Sequence, residues 1–316
     1  MKKLNNIKVI KGGRNNKIIR INLNNKNYII KQLSQSKNGF LKNLREFYFL
    51  SLLKKKLIKN VPRPYLCCID KNYSVYEFLS GNKLKKINDK SIKKTVKFLR
   101  NIQIIKKSLI IKEKHFLFAV DACKCLNDHL KIVDSKFKKF FFLRKKNKKI
   151  PISFIKLLNS TYIKLKSDYK KKYEKILNNK IKSKKLIVSP SDFGFHNILN
   201  YKNKLFFFDF EYSGLDDIKK LICDFVCQPD YQFNNKQIKF TINSFSNIFN
   251  LDYSEIIIIY DLIKIYRIKW CLIMLNDYLN LEDKYKNKTI ITREYLKKNL
   301  NNQLLKSKKY FLKYVY

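Results

Sequence analysis

The stretch Ser189-Pro190-Ser191-Asp192-Phe193-Gly194-Phe195-His196-Asn197-Ile198-Leu199, followed by Leu205-Phe206-Phe207-Phe208-Asp209-Phe210-Glu211-Tyr212-Ser213-Gly214, carries the chain's most informative chemistry. Asp192 and Asn197 stand five positions apart in one loop. Asp209 ends an apolar run 17 positions (209 − 192) after Asp192. Two carboxylates and an amide oxygen are hard donors, suited to Mg²⁺ and unsuited to Zn²⁺. A loop Asp that holds no metal can orient a nucleophile or accept its proton. The competing reading makes Asp192 and Asn197 loop caps and Asp209 a turn residue. Short buried strands at Ile187-Val188 and Leu205 to Phe208 flank the loop, and a second Asp sits at a strand end. That context favours the functional reading.

Working outward, residues 1 to about 80 alternate like a small antiparallel sheet. Apolar runs occur at Ile7 to Ile10, Lys17 to Leu23 and Asn27 to Lys31, with a polar turn at Asn24-Asn25-Lys26. Phe40 to Leu53 has helical spacing, and Val61-Pro62-Arg63-Pro64 ends it. Two further strands are expected at Tyr65 to Ile69 and Ser74 to Leu79. Gly12 and Gly13 bring together two of the chain's six glycines in the first hairpin, where backbone amides can approach phosphates without a Cβ clash. Taken alone, the pair is better explained by a plain β-turn. Lys31 closes the third strand, and Glu46 follows 15 positions later in the helix (46 − 31). A lysine fixed by a helix glutamate can hold nucleotide phosphates. The alternative leaves Glu46 solvated, or paired with Lys42 four residues earlier.

From about 89 to 180, and again from Lys219 to the end, the pattern is helical and rich in Lys. Ile256 to Leu275 reads as a buried helix, because Asp261, Lys264, Arg267 and Lys269 interrupt its apolar run. Strands first and helices after give an α+β fold of two lobes, divided at about residue 80 into 1–80 and 81–316. Trp270 is expected to fill the helical core, with a place in a substrate site as the alternative.

Charge points elsewhere at first sight. Lys and Arg number 70 against 24 Asp and Glu, a formal net charge of +46 over 316 residues. Only 8 of the 70 are Arg, Ala occurs twice, and the abundant residues Lys, Asn, Ile, Phe and Tyr share A/T-rich codons. Base composition explains the lysines, and the residue best suited to phosphate and base contacts is scarce. The basic block Lys136 to Lys149, with Phe137 and Phe140 to Phe142 interleaved, keeps nucleic-acid binding as a third-ranked alternative. With 45% hydrophobic residues the chain is too apolar for a disordered basic tail. No membrane span or secretory leader is read. Seven cysteines without zinc-type spacing suit reduced thiols and a cytoplasmic setting.

Glycine-rich hairpin, strand Lys, helix Glu, Asp…Asn loop and strand-end Asp form a kinase-like order of parts. The chain resembles the aminoglycoside phosphotransferase/choline kinase family of small-molecule kinases. The resemblance rests on Pro190-Ser191-Asp192 through His196-Asn197 and on Phe208-Asp209-Phe210-Glu211. It extends to Gly12 through Asn16, to Tyr76 through Gly81, and to Lys269 through Asn276. It implies a protein-kinase-like fold and ATP- and Mg²⁺-dependent transfer of a phosphoryl group to a hydroxyl of a small molecule such as a sugar, amino alcohol or aminoglycoside. Asp192 then orients the acceptor hydroxyl and takes its proton, while Asn197 and Asp209 hold Mg²⁺. Lys31, paired with Glu46, contacts the α and β phosphates, and Gly12 and Gly13 cover them. The backbone of Glu77, Phe78 and Leu79 meets the adenine.

The chain departs from the family at Pro190-Ser191, where His-Gly is usual, so the loop needs another support. A catalytically inactive kinase-like binding module is therefore the second-ranked alternative. His196 is read as loop packing or a substrate-side contact, and His115 and His129 as structural or surface residues. Asp224 is given a structural role, Glu211 a supporting one behind the metal ligands, and Asp216-Asp217 a helix cap before Ile218.

Overall fold

A computed structural model of the chain describes residues 4–10, 16–112, 116–145, 147–279 and 290–315. Gly12, Gly13 and His115 lie outside the described residues. The chain divides into two compact units. One comprises Met1–Ala122, Ser183–Leu221 and Phe233–Asn250; the other comprises Cys123–Lys182, Ile222–Gln232 and Leu251–Tyr316.

The first unit opens with strands β1 (Leu4–Ile10), β2 (Lys17–Leu23) and β3 (Lys26–Gln32). After helix α1 (Lys37–Lys55) come β4 (Pro64–Cys68) and β5 (Tyr73–Glu77). The five strands form one antiparallel sheet in the order β1-β2-β3-β5-β4. The β2–β3 turn is a two-residue hairpin closed by Leu23 opposite Lys26. Asn24 and Asn25 both take left-handed backbone angles (φ 51° and 59°), as a turn matching the strand twist requires. Ser36 caps α1 by accepting from the Gly39 N–H at 3.1 Å. A Cβ on Gly39 would lie 2.0 Å from the Ser34 carbonyl oxygen, so the helix entry admits no side chain there.

Helix α2 (Asp89–Ile102) and the short α3 (Lys106–Lys112) follow β6 (Asn82–Lys83). Strand β6 pairs with β8 (Ile198–Tyr201), which pairs with β9 (Lys204–Phe207). Strand β7 (Ile187–Ser189) pairs with β10 (Gly214–Asp216), a strand that the sequence pattern did not predict. Helix α7 (Asn235–Phe249) packs on α2.

Helix α2 turns Ile92, Val96 and Leu99 inward at positions i, i+4 and i+7. Its Phe98 stacks on Phe207 of β9, with ring centroids 3.8 Å apart and planes within 5°. Phe193 stacks 6.2 Å from Phe98, and Phe210 stacks on Phe49 of α1 at 5.2 Å. These rings lie next to Asp192 and Asp209 in sequence, so one aromatic cluster seats both acidic segments.

The second unit is built on α4 (Leu126–Arg144), α5 (Ile152–Lys172), α8 (Tyr253–Met274) and α9 (Ile290–Tyr314). Helix α8 packs against the other three, as expected of the apolar 256–275 run. Helix α6 (Ile218–Cys227) begins in the first unit and ends in the second. Among the described residues no helix is long and apolar enough to cross a membrane. All seven cysteines are free thiols, as read from the sequence. Burial pushes those of Cys227 and Cys271 up to about 12, which marks them as core filling.

Phe98→Ala is expected to lower stability by about 3–5 kcal/mol, the cost of emptying a buried aromatic site. Urea unfolding followed by tyrosine and tryptophan fluorescence measures it.

Candidate active site

Strand β3, helix α1 and the segment after β9 converge on Lys31. Its position in the sheet places it opposite Ser74 of β5 and Ile18 of β2. Its amine is buried and meets three carboxylates: Asp209 Oδ1 at 2.6 Å, Glu46 Oε2 at 2.8 Å and Glu211 Oε2 at 2.9 Å. Burial alone would lower the Lys31 pKa. Glu46, Asp209 and Glu211 outweigh it and hold the pKa well above the usual lysine range.

Glu46 is 3% exposed, so the solvated reading fails. Lys42 does not pair with it either: Lys42 Nζ donates to Tyr212 Oη at 2.6 Å and to Glu211 Oε1 at 3.3 Å. The second oxygen of Glu46 accepts from the Phe210 N–H at 3.1 Å, tying α1 to the residue after Asp209. Burial and the two neighbouring carboxylates raise Glu46 to about 7 against the pull of Lys31. Glu211 is also buried, but Lys31 and Lys42 overcome that burial and bring it down to about 2. Asn16, at the end of the first hairpin, donates to Glu211 Oε2 at 2.9 Å.

Glu211 therefore does more than stand behind the metal ligands, as the sequence reading had it; it shares Lys31 directly. Oxygens of Glu46, Asp209 and Glu211 all lie within 4.8 Å of one another. An acidic residue beside Asp209 in a chain with only 24 acidic residues was the available signal. Asn16 was read only as part of the first hairpin and Lys42 only as a partner for Glu46, and neither reading pointed to Glu211.

Arg45, next to Glu46 on α1, donates to the carbonyls of Phe118 (2.7 Å) and Ser213 (2.6 Å). It pins the helix to the segment that follows Glu211.

The Asp192 loop adjoins this cluster through the backbone. Phe208 N–H donates to the Asn197 carbonyl at 3.2 Å, just ahead of Asp209. Asn197 is buried, and its side-chain amide nitrogen donates to the Asp192 carbonyl at 3.0 Å, which turns the amide oxygen the other way. The Asp192 side chain is 41% exposed, open to a reactant. His196 Nε2 stands 3.3 Å from Asp192 Oδ1, and its Nδ1 is buried with no partner among the described residues. Ser191 (φ 66°) and Asp209 (φ 69°) both hold left-handed angles, a strain that clusters where side chains must be aimed.

Asp209 and Asn197 offer only oxygen donors, a set that fits a hard divalent cation such as Mg²⁺. In the sheet, Glu77 N–H donates to the Arg63 carbonyl at 2.9 Å and Phe78 N–H to the Asn27 carbonyl at 3.3 Å. The Leu79 N–H makes no hydrogen bond among the described residues.

Asp216, Asp217, Asp224 and His129 make structural contacts, whereas Trp270 does not fill the core as expected. Asp217 caps α6 by accepting from the Lys219 N–H at 3.1 Å, as expected, whereas Asp216 belongs to β10. In the second unit Asp224 pairs with Lys269 at 2.5 Å, and the buried His129 Nδ1 meets Tyr266 Oη at 2.7 Å. Trp270 is half-buried, with its indole N–H unpaired among the described residues.

Arg45→Met should cost about 1.5–3 kcal/mol, since it removes charge-assisted bonds from two carbonyls. A urea midpoint equal to that of the parent chain would contradict the pinning role.

Neither a protein-family model nor a curated protein sequence matches the chain. Solved structures do. The chain is similar to choline kinase LicA from Streptococcus pneumoniae at 18% identity and a TM-score of 0.61, over 99% of this chain and 95% of that one. It is similar to the ADP-bound aminoglycoside phosphotransferase APH(2'')-Ib at 14% identity and a TM-score of 0.56, over 98% and 95% of the two chains. An ethanolamine kinase from Plasmodium vivax superposes at 17% identity and a TM-score of 0.54, over 95% and 82%. The fold is thus the two-lobed, kinase-like one expected from the sequence.

Proposed function

We propose that the chain is an ATP-dependent phosphotransferase that moves the γ-phosphoryl group to a hydroxyl of a small molecule. The observation that carries this reading is the meeting of Lys31, Glu46 and Asp209 beside a loop that holds Asp192 and Asn197. Structures of the same fold act on choline, ethanolamine and aminoglycosides, and one holds ADP. The acceptor is therefore sought among amino alcohols, sugars and aminoglycoside-like compounds.

In this reading, residues 1–80 serve the nucleotide and 81–316 carry the catalytic loop and the acceptor. Lys31, oriented by Glu46, binds the α and β phosphates, Gly12 and Gly13 cover them, and Leu79 with the Glu77 and Phe78 carbonyls faces the adenine. Asn197 and Asp209 hold Mg²⁺, which neutralises phosphate charge. Asp192 aligns the acceptor hydroxyl and takes its proton as the acceptor oxygen bonds to the γ phosphorus and the bond to the β–γ bridging oxygen breaks. Positioning and charge neutralisation supply most of the acceleration, without a covalent intermediate.

Nucleic-acid binding keeps its third rank: Phe137 and Phe140 of the basic block are buried at 4% and 0% exposure and cannot stack on bases, whereas Phe142 is 62% exposed.

Asp192→Asn is expected to reduce turnover by about 10²–10⁴-fold while nucleotide binding persists. Lys31→Met should instead weaken nucleotide binding. Isothermal titration with ATP and Mg²⁺, and phosphorylation of a library of choline, ethanolamine, sugars and aminoglycosides, check both. Binding without turnover that is indifferent to Asp192→Asn would favour an inactive binding module.

A further inference from the structure

A buried group of charges that the reaction above does not use lies at the foot of the Asp192 loop. Asp216 and Asp217 are 0% and 1% exposed, and Lys219 and Lys220 only 6% and 3%. Lys219 turns back on Asp217, whose place as helix cap accounts for both. Lys220 does something else. Its amine donates to Asp216 Oδ2 at 2.8 Å and to Ser191 Oγ at 3.0 Å.

Ser191 precedes Asp192 and holds the left-handed φ of 66° that turns the loop. Its N–H donates to Ser189 Oγ at 3.0 Å and its hydroxyl to the Val120 carbonyl at 3.4 Å. With the hydroxyl proton directed to Val120, an oxygen lone pair is left for the ammonium, and one serine rotamer satisfies both. Asp216, in turn, is fixed by the sheet, directly opposite Ile187. Strand β10, Lys220 and Ser191 thus form a charge-assisted chain from rigid backbone to the residue before Asp192. Desolvating an ammonium is costly, and Asp216 compensates for it.

We propose that Lys220 is a positioning residue for Asp192, acting through the Ser191 hydroxyl, with Asp216 as its counter-ion. The kinetic part of this proposal rests on the reading of Asp192 as the proton acceptor; the structural part does not.

The test compares the full-length Lys220→Met, Lys220→Arg and Ser191→Ala variants with the parent chain. Hydrogen exchange follows the Phe193 and Asn197 amides, whose bonds to the Ser191 and Gly194 carbonyls shape the loop. Lys220→Met and Ser191→Ala should speed both amides about tenfold while β3 and β5 are unchanged, and Lys220→Arg should restore protection. The turnover number should fall on the order of 10²-fold, with the nucleotide KM within about twofold. The Ser191→Ala/Lys220→Met double variant should be no slower than Lys220→Met alone. Unchanged exchange at Phe193 and Asn197, or losses that multiply in the double variant, would overturn the proposal. If Lys220→Met fails to fold, Ser191→Ala, which leaves the Lys220–Asp216 pair intact, decides by the same exchange measurement. A parent chain without turnover on any acceptor would count against the phosphotransferase reading alone, and loop exchange would still decide the role of Lys220.

Discussion

One ammonium group shared by three carboxylates organises the first unit. Lys31 is contributed by the sheet, Glu46 by the helix that packs on it, and Asp209 and Glu211 by the segment leaving β9. None of these four charges could be buried by itself without a desolvation cost of several kcal/mol. Together they hold three pieces of chain that are far apart in sequence. Burial, reinforced by the neighbouring carboxylates, pushes Glu46 up, while Lys31 and Lys42 overcome burial and bring Glu211 down.

The aromatic stack around Phe98 gives that cluster its rigidity. Phe193 follows Asp192, Phe207 precedes Asp209 by two residues, and Phe210 follows Asp209. Seating these rings in one core ties the two acidic segments to each other through packed side chains. The charged groups then need only short reaches to meet.

Much of this was legible in the sequence. Alternation and turn residues located the five-stranded sheet to within a few residues, whereas α1 ends at Lys55, with Leu57 at a left-handed φ of 58°, ahead of the Pro62 and Pro64 read as its stop. The scarce acidic residues pointed to Glu46, Asp192 and Asp209, because a residue disfavoured by composition stands out where it is kept. Strand β10 was not legible: Gly214 to Asp216 is three residues long and gains its identity only by pairing with β7. Lys220 was invisible for a different reason. Among 62 lysines (70 − 8) nothing in one-dimensional order distinguishes a buried amine from a solvated one. The replacement of His-Gly by Pro190-Ser191 signalled that the loop needed another support, but its source on α6 required the fold. The contacts of Asn16 and Lys42 with Glu211 were not foreseen because long-range hydrogen bonds leave no periodicity.

The turns carry a further consequence of the same composition. Ten described residues other than glycine hold a positive φ, and five of them are asparagines: Asn24, Asn25, Asn72, Asn203 and Asn250. Asparagine tolerates the left-handed region better than most side chains, yet glycine would enter it without steric penalty. A chain kept poor in glycine by its codons thus bends at asparagine and accepts a small conformational cost at each bend. Nucleotide bias is in this way converted into backbone energy, distributed over hairpins and helix ends remote from the chemistry.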